Sequence, residues 1–288
     1  MTAQSVGAAH EPSALSPDEL AFVICVEATV LEAMGVTYVA APLNMTGHPY
    51  GPINRIVVSA WAEVELAAPW LVVLDTDTVF VSEPSFARCD IGVRPVDMKG
   101  TASSGAHDPM DAYWSQLAEA AGVAVDDLPW LTASVSRDRV RASYNGGFVV
   151  ARRALGVFQR TRDLFFQNFE AGRAPTPDPT IDIRASTGEV GLEASRWWGS
   201  SQASLSIAIW SSTRDVRLYD ARYNIPLHLM KPIDWPLPDG AEPVLLHYHH
   251  LLERPNRLRA YMAKLQPSVE AAVWMRKTTR PLAIDPAG

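Results

Sequence analysis

Pro69-Trp70-Leu71-Val72-Val73-Leu74-Asp75-Thr76-Asp77-Thr78-Val79-Phe80 is the stretch on which the reading of this chain turns. Trp70 to Leu74 form an unbroken apolar run that leads straight into two carboxylates one residue apart. A run this short, with branched residues inside it, reads as a strand buried on both faces of a parallel sheet. In such sheets ligands collect beyond the carboxyl ends of the strands, which is where Asp75 and Asp77 emerge. Two acids held this close repel each other, and burial raises their pKa values unless a cation sits between them. Hard oxygen ligands of that kind suit Mg²⁺ or Mn²⁺. The competing reading is a pair of solvated turn acids after an edge strand, so the rest of the chain has to decide.

On either side of the run, elements alternate. Residues 53–66 have helical spacing, with Ile56, Val57, Ala60, Trp61 and Val64 able to share one face. Ser16-Pro17-Asp18-Glu19 has the form of a helix start, a capping serine followed by proline and acids. Leu20–Val26 is apolar enough for a strand, but only about ten residues separate Val26 from Val36, too few for a crossover, so the reading is a helix over 17–34. A strand over 36–41 and a polar loop over 42–54 follow. Residues 1–15 read as a loose arm. Downstream, the pattern predicts a strand over 90–96, a flexible loop over 100–109, a helix over 110–121, a strand from Tyr144 to Val150 and an amphipathic helix over 155–170. Phe158, Leu164, Phe165, Phe166 and Phe169 on that helix read as packed core. Residues 171–191, rich in Pro, Asp, Thr and Gly, read as a mobile loop or insertion. A helix within 197–211 opens near Ser200-Ser201-Gln202, late strands fall at 216–219 and 244–248, a helix covers 256–265, and 266–288 is a tail. The alternation predicts an α/β fold, with a single domain over 16–265.

The 288 residues suffice for a substantial core, and 48% apolar with 20% charged residues marks a globular chain. A net charge of -7 argues against a nucleic-acid or membrane-surface binder. Cys25 and Cys89 make neither a disulfide framework nor a zinc set. Residues 1–14 lack the pattern of a secretory signal, and no apolar run reaches the roughly 18–20 residues of a membrane span. The expected location is cytoplasmic.

Two further constellations bear on chemistry. Asn145-Gly146-Gly147 opens a β-branched strand, where paired glycines admit close approach of a ligand to backbone and the amide can bond hydroxyls; a plain tight turn is the alternative. The late apolar strand Val244-Leu245-Leu246 ends in His247-Tyr248-His249-His250, well placed to bring an imidazole to a metal held by carboxylates. His247 and His249 would share one face of an extended strand, with Tyr248 pointing away, which makes His249 the reserve ligand. The alternative is a surface histidine run, to which His250 is assigned.

Taken in order, these features resemble the GT-A nucleotide-sugar glycosyltransferases, most closely the glycogenin and lipopolysaccharide-galactosyltransferase group (family 8), over roughly residues 36–256. The resemblance implies a mixed, mainly parallel central sheet flanked by helices, with a nucleotide and metal half over 16–100 and a sugar and acceptor half over 101–265. It implies that Asp75, Asp77 and His247 bind Mn²⁺ or Mg²⁺, with Asp75 also touching the ribose, and that Asn145 and Gln202 hold the donor sugar near its reacting carbon. Thr76, Gly146 and Gly147 would line the donor site. It further implies a UDP-sugar donor, an acceptor the chain does not specify, and retention of anomeric configuration. Three departures stand out. Ser201-Gln202 replaces the family's Asp-Gln pair. Arg254, one position out of register, takes the place of a phosphate-binding lysine. The family's opening base-binding strand has no clear counterpart: either residues 1–8 substitute for it, or it is missing, or 17–34 is not a helix. Asp108 and Asp111 are the nearest acids for a base in an inverting reaction, although a loop acid and a helix cap are the readings favoured for them. Trp130, Trp197 and Trp198 are candidates to stack on an acceptor sugar, or are large core and loop aromatics. Asp75-Thr76-Asp77-Thr78-Val79 also resembles the haloacid-dehalogenase phosphatase motif, and a non-catalytic nucleotide- or carbohydrate-binding relative is a further alternative.

Overall fold

A computed structural model of the chain describes residues 13–24, 37, 39, 43–185, 188–231, 234, 236–238, 240–249 and 260–261. In chain order its strands are β1 (Leu20–Ile24), β2 (Trp70–Leu74), β3 (Thr78–Phe80), β4 (Ile91–Pro95), β5 (Trp130–Thr132), β6 (Arg139–Arg141), β7 (Tyr144–Arg152), β8 (Arg184–Ala185), β9 (Gly188–Glu189), β10 (Val216–Leu218), β11 (Ile225–Pro226) and β12 (Leu245–His247). The helices are α1 (Pro52–Glu65), α2 (Asp111–Ala120), α3 (Val157–Glu170), α4 (Leu192–Arg196) and α5 (Ser200–Ser212).

The central sheet has the order β1-β2-β7-β4-β10. Strands β1 and β2 are parallel, as are β4 and β10, while β7 runs antiparallel between β2 and β4. It is therefore a mixed sheet in which β7 alone opposes the common strand direction, flanked by helices, and the α/β architecture expected from the chain is the one it adopts. All five residues of β2 are buried, as the apolar run requires. Leu71 and Val73 pack into a cluster with Ala62 of α1, Val157 and Phe158 of α3, and Leu205 of α5. Trp70, Val72 and Leu74 turn to the other face, against Phe86, Phe148, Tyr223 and Leu245. Each such side chain contributes about 1.5–3 kcal/mol by leaving water, and burial on both faces is why no polar residue interrupts the run.

A second sheet of order β11-β12-β3 covers that other face. Its position matters for the site, because β3 starts one residue after Asp77 and β12 ends in His247.

The expected helix over 17–34 is not what the chain forms. The capping box is real: Ser16 N and Oγ both donate to Glu19 Oε2, at 3.0 and 2.9 Å. It starts only a 3-10 turn, Pro17–Glu19, after which Leu20 is extended (φ -109°, ψ 139°) and β1 begins. The registered parallel pairing, Leu20↔Trp70 to Ile24↔Leu74, gives these backbone groups partners on β2, and it is the strand side of the mixed signal over Leu20–Val26 that prevails. The first strand among the described residues thus lies beside β2. Residues 25–36 lie outside the description, as do 1–12 of the arm, all of 266–288 and most of the strand expected over 36–41; among the described residues the next strand of the central sheet is β2. Of the helix expected over 256–265 only residues 260 and 261 are described, and both are helical.

The segment 100–109, expected to be flexible, is tied down: Asp108 accepts from Ser104 N (2.8 Å), Ser104 Oγ (2.6 Å) and Met110 N (2.9 Å) and pairs with Lys99 Nζ (2.8 Å). The hairpins β5–β6 and β8–β9 lie where the pattern predicts none, the second within the proposed insertion. Both are built from strands of two or three residues, too short to show a period.

Candidate functional site

The turn Asp75-Thr76-Asp77 carries the chain from the central sheet to the small one. Thr78 Oγ1 donates to the Asp75 carbonyl (2.8 Å), and Tyr248 N donates to the Asp77 carbonyl (2.9 Å), so both ends of the turn are pinned. In the antiparallel register His247 faces Thr78. Asp75, Asp77 and His247 consequently each offer a ligand atom, all within 4.8 Å of one another. His247 Nε2 lies 3.1 Å from Asp77 Oδ1, close but not aligned as a hydrogen bond, and both ring nitrogens are buried without a hydrogen-bond partner among the described residues. Buried polar atoms of this kind are costly unless a further group completes them. Two carboxylates and one imidazole, once the ring gives up its proton, are a donor set that fits a divalent cation such as Mn²⁺ or Mg²⁺.

Burial disfavours the charge on Asp77, yet the contact with His247 and the charge of that ring and of His249 hold its carboxyl down to about 2. At His247 burial favours the neutral ring, and Asp77 outweighs it, so the imidazole pKa lies above its ordinary value. A cation entering between them would take the place of that proton.

The paired glycines have separate uses. Gly147 faces Asp75 across the strands: Asp75 N donates to the Gly147 carbonyl (3.1 Å), and a Cβ on Gly147 would collide with the Asp75 carboxylate. Gly146 lies against the guanidinium of Arg55, which is ion-paired with Asp75. Asn145 is a brace: Oδ1 accepts from Gly147 N (2.8 Å) and Nδ2 donates to Asp97 Oδ2 (2.7 Å). Asp97 also accepts from Ser134 Oγ (2.6 Å), and burial raises its pKa despite these partners.

Arg55, Asp97 and His228 belong to this neighbourhood and went unnoticed in the sequence. Arg55 is the single basic residue of α1, which was a usable signal. Asp97 stands just past the carboxyl end of β4, so the rule that finds Asp75 also finds it. His228 had no local signal; the pairing of β11 with β12 brings its ring 5.1 Å from that of His247, stacked on His249 at 4.3 Å. Burial and the neighbouring imidazoles lower the His228 pKa to about 3.

The other expected residues are less central. Thr76 is exposed, its carbonyl accepting from Tyr248 Oη (3.4 Å). Gln202 sits in the first turn of α5, half-buried, its carbonyl accepting from Ser206 Oγ (2.7 Å). Its neighbour Ser201 bonds Tyr50 Oη (3.0 Å) and lines a crevice with Arg55 and Gly146. His249 lies beyond the end of β12 with a left-handed φ of 51°, so strand alternation does not reach it, and its ring stands 6.1 Å from that of His247. Arg254 and His250 are outside the described residues. Asp108 is held as described above, and Asp111 pairs with Arg141 (2.8 Å) and Ser103, so both are structural acids. Trp197 is core, packed on Phe169, and Trp198 packs edge-on to Tyr50. Trp130 is exposed, with Arg139 Cζ 4.3 Å from the ring centroid.

Residues 22–173 match the Rhodobacterales glycosyltransferase domain. The match takes in Asp75, Asp77 and Asn145 and stops short of Gln202 and His247. No curated protein matches the chain. Among solved structures, the chain is similar to apo mouse xyloside xylosyltransferase 1, with 11% identity over 76% of this chain and 69% of that one and a TM-score of 0.31. Among the described residues no helix is long and apolar enough to cross a membrane.

Proposed function

The chain belongs to the Rhodobacterales glycosyltransferase domain family, and from that premise we propose that it moves a sugar from a nucleotide-diphosphate donor, UDP first among them, to an acceptor, using a divalent cation held by Asp75, Asp77 and His247. The observation that supports this most is the convergence of those three side chains at the carboxyl end of a buried strand, with the His247 nitrogens lacking a hydrogen-bond partner among the described residues. When bound, Mn²⁺ or Mg²⁺ supplies a Lewis acid for the leaving nucleotide. The rest is the work of the chain. Asp75 would be shared between the cation and the donor ribose, and β1 beside it is our candidate for the base-binding strand expected of GT-A enzymes. Gly146 and Gly147 keep the floor of the site free of side chains, so that a hydroxyl-rich sugar can approach backbone. Asn145, already bound to Gly147 and Asp97, contacts the sugar through its remaining N–H and orients Asp97, whose carboxylate offers the acid that Ser201-Gln202 lacks. Gln202 holds the donor sugar from the α5 side, Thr76 lies at the rim, and Arg254 contacts phosphate. Retention of configuration, as in family 8, belongs to the same reading.

The haloacid-dehalogenase alternative needs a lysine beside the first acid; Asp75 has Arg55 instead. The experiment is incubation with UDP-glucose or UDP-galactose and Mn²⁺, following released UDP. Turnover that vanishes in Asp75→Ala, together with Asp77→Asn losing Mn²⁺-dependent donor binding at nearly unchanged ligand-free melting temperature, supports the reading. Donor bound at saturation, about 100 times its Kd, adds about 2.7 kcal/mol of stability and gives a melting shift to follow. Ester hydrolysis that depends on Asp75, with no turnover of any nucleotide sugar, would overturn it. Nucleotide binding without turnover of any donor would mark a non-catalytic relative.

A further inference from the structure

We infer that Arg55 is a built-in counter-charge standing where the cation must act on Asp75, so that cation and anionic donor bind cooperatively through it; this rests on the metal reading above. Arg55 leans from α1 across the end of β2, and its Nη1 is ion-paired with Asp75 Oδ1. Both side chains are largely withdrawn from water, with 20% and 25% exposure. The berth exists because residue 146 is glycine: a Cβ there would lie 2.9 Å from Arg55 Nη2 and 3.2 Å from Cζ. Among the described residues the crevice around the guanidinium is lined by apolar and hydroxylic side chains, Ile56, Ser59, Val149, Phe158 and Ser201, and the one further carboxylate whose charge acts on Arg55 is that of Asp77.

That arrangement makes Asp75 serve two positive partners. A divalent cation drawing on the Asp75 oxygens takes from Arg55 the carboxylate it is paired with. A mostly buried guanidinium left without an anion is strongly unfavourable, so cation alone binds against this penalty. A diphosphate removes the conflict: its oxygens accept from the guanidinium fork, a geometry that arginine matches well, while Asp75 turns to the cation. Each ligand then raises the affinity of the other by the same factor, as linkage requires. A residue whose role is only to hold Asp75 in place would have the opposite signature, since its removal would weaken cation binding.

The test is Mn²⁺ affinity, read from the free-ion EPR signal, with and without UDP, in the wild type and in Arg55→Gln, Arg55→Lys and Gly146→Ala. In the wild type UDP should tighten Mn²⁺ by roughly 5–150-fold, the usual range of such coupling. Arg55→Gln should bind Mn²⁺ alone about tenfold more tightly than the wild type, and its enhancement by UDP should shrink to a few-fold. Arg55→Lys, which keeps the charge and loses the fork, should fall between the two. Gly146→Ala pushes the guanidinium off its berth without removing it and should also tighten Mn²⁺ alone; it decides the matter if Arg55→Gln does not fold. Equal or weaker Mn²⁺ binding in folded Arg55→Gln and in Gly146→Ala, with the UDP enhancement intact, overturns the role of Arg55 and leaves the metal site standing. A wild type that binds no Mn²⁺, with or without UDP, overturns the metal reading and this inference together.

Discussion

Gly147→Ala adds one methyl group at the most crowded point of the site. The new Cβ would collide with Asp75 Oδ2, and would lie 2.9 Å from Asp75 Cγ and 3.1 Å from Asn145 Oδ1. The backbone at 147 is not in the left-handed region, so the contact itself is the whole of the perturbation. Strand β7 cannot slide away, because Asp75 N is bonded to the Gly147 carbonyl and the flanking pair Leu74↔Phe148 is in register. The carboxylate has to yield by about 1 Å to restore ordinary van der Waals separation. Overpacking of this size costs about 1–3 kcal/mol, which at about 2–4 °C per kcal/mol lowers the melting temperature by roughly 2–12 °C. The same displacement turns one metal ligand out of line with Asp77 and His247. Disturbing ligand orientation typically costs about 10–100-fold in metal affinity, equivalent to about 1.4–2.7 kcal/mol. Calorimetric titration with Mn²⁺, run beside thermal melts of the unliganded protein, reads both quantities. Gly146→Ala is the comparison: its Cβ meets the movable end of an arginine side chain rather than a carboxylate held against backbone, so the neighbouring substitution should cost less stability than Gly147→Ala and shift Mn²⁺ affinity the other way. Wild-type Mn²⁺ affinity and melting temperature in Gly147→Ala would refute the placement of Asp75 against this strand.

Two further expectations concern the frame around the site. Glu63, buried on α1, accepts from Phe158 N (3.1 Å) and Gln159 N (2.8 Å) at the start of α3; Glu63→Ala leaves those donors unsatisfied and should cost about 1–3 kcal/mol in urea melts, with Mn²⁺ affinity intact. An unchanged midpoint would show that the cap is dispensable. For Asp108, burial raises the pKa, but Lys99, Ser104 and the Met110 N–H outweigh it and hold the carboxyl well below the usual range. A depressed folded pKa stabilises above the unfolded value of about 3.9 and loses that contribution as pH falls through the folded one. Asp108→Asn should therefore be less stable than the wild type at pH 7, with the gap narrowing steadily below about pH 4; a gap independent of pH would contradict the assignment.

Periodicity along the chain determined much of this protein. The run Trp70 to Leu74, the helical faces of α1 and α3 and the acids at a strand's carboxyl end were legible because burial on one face or two leaves a local pattern of apolar residues. The motif order also led to Asp75, Asp77 and His247 as a set, and to Asn145 and Gly147 beside them. What the chain alone misjudged was pairing. Ser16 to Glu19 do cap a turn and carry the signals of a helix start, but the open edge of β2 recruits the apolar run that follows, Leu20–Ile24, as a strand. The roles of Arg55, Asp97 and His228 likewise depend on which elements become neighbours: α1 lying over β2 and β7, β4 ending beside Asn145, β11 pairing with β12. A side chain's tendency to be buried is written in its own spacing. Which partner it meets there follows from sheet order and register, set by hydrogen bonds between segments far apart in sequence, and only the tertiary structure decides it.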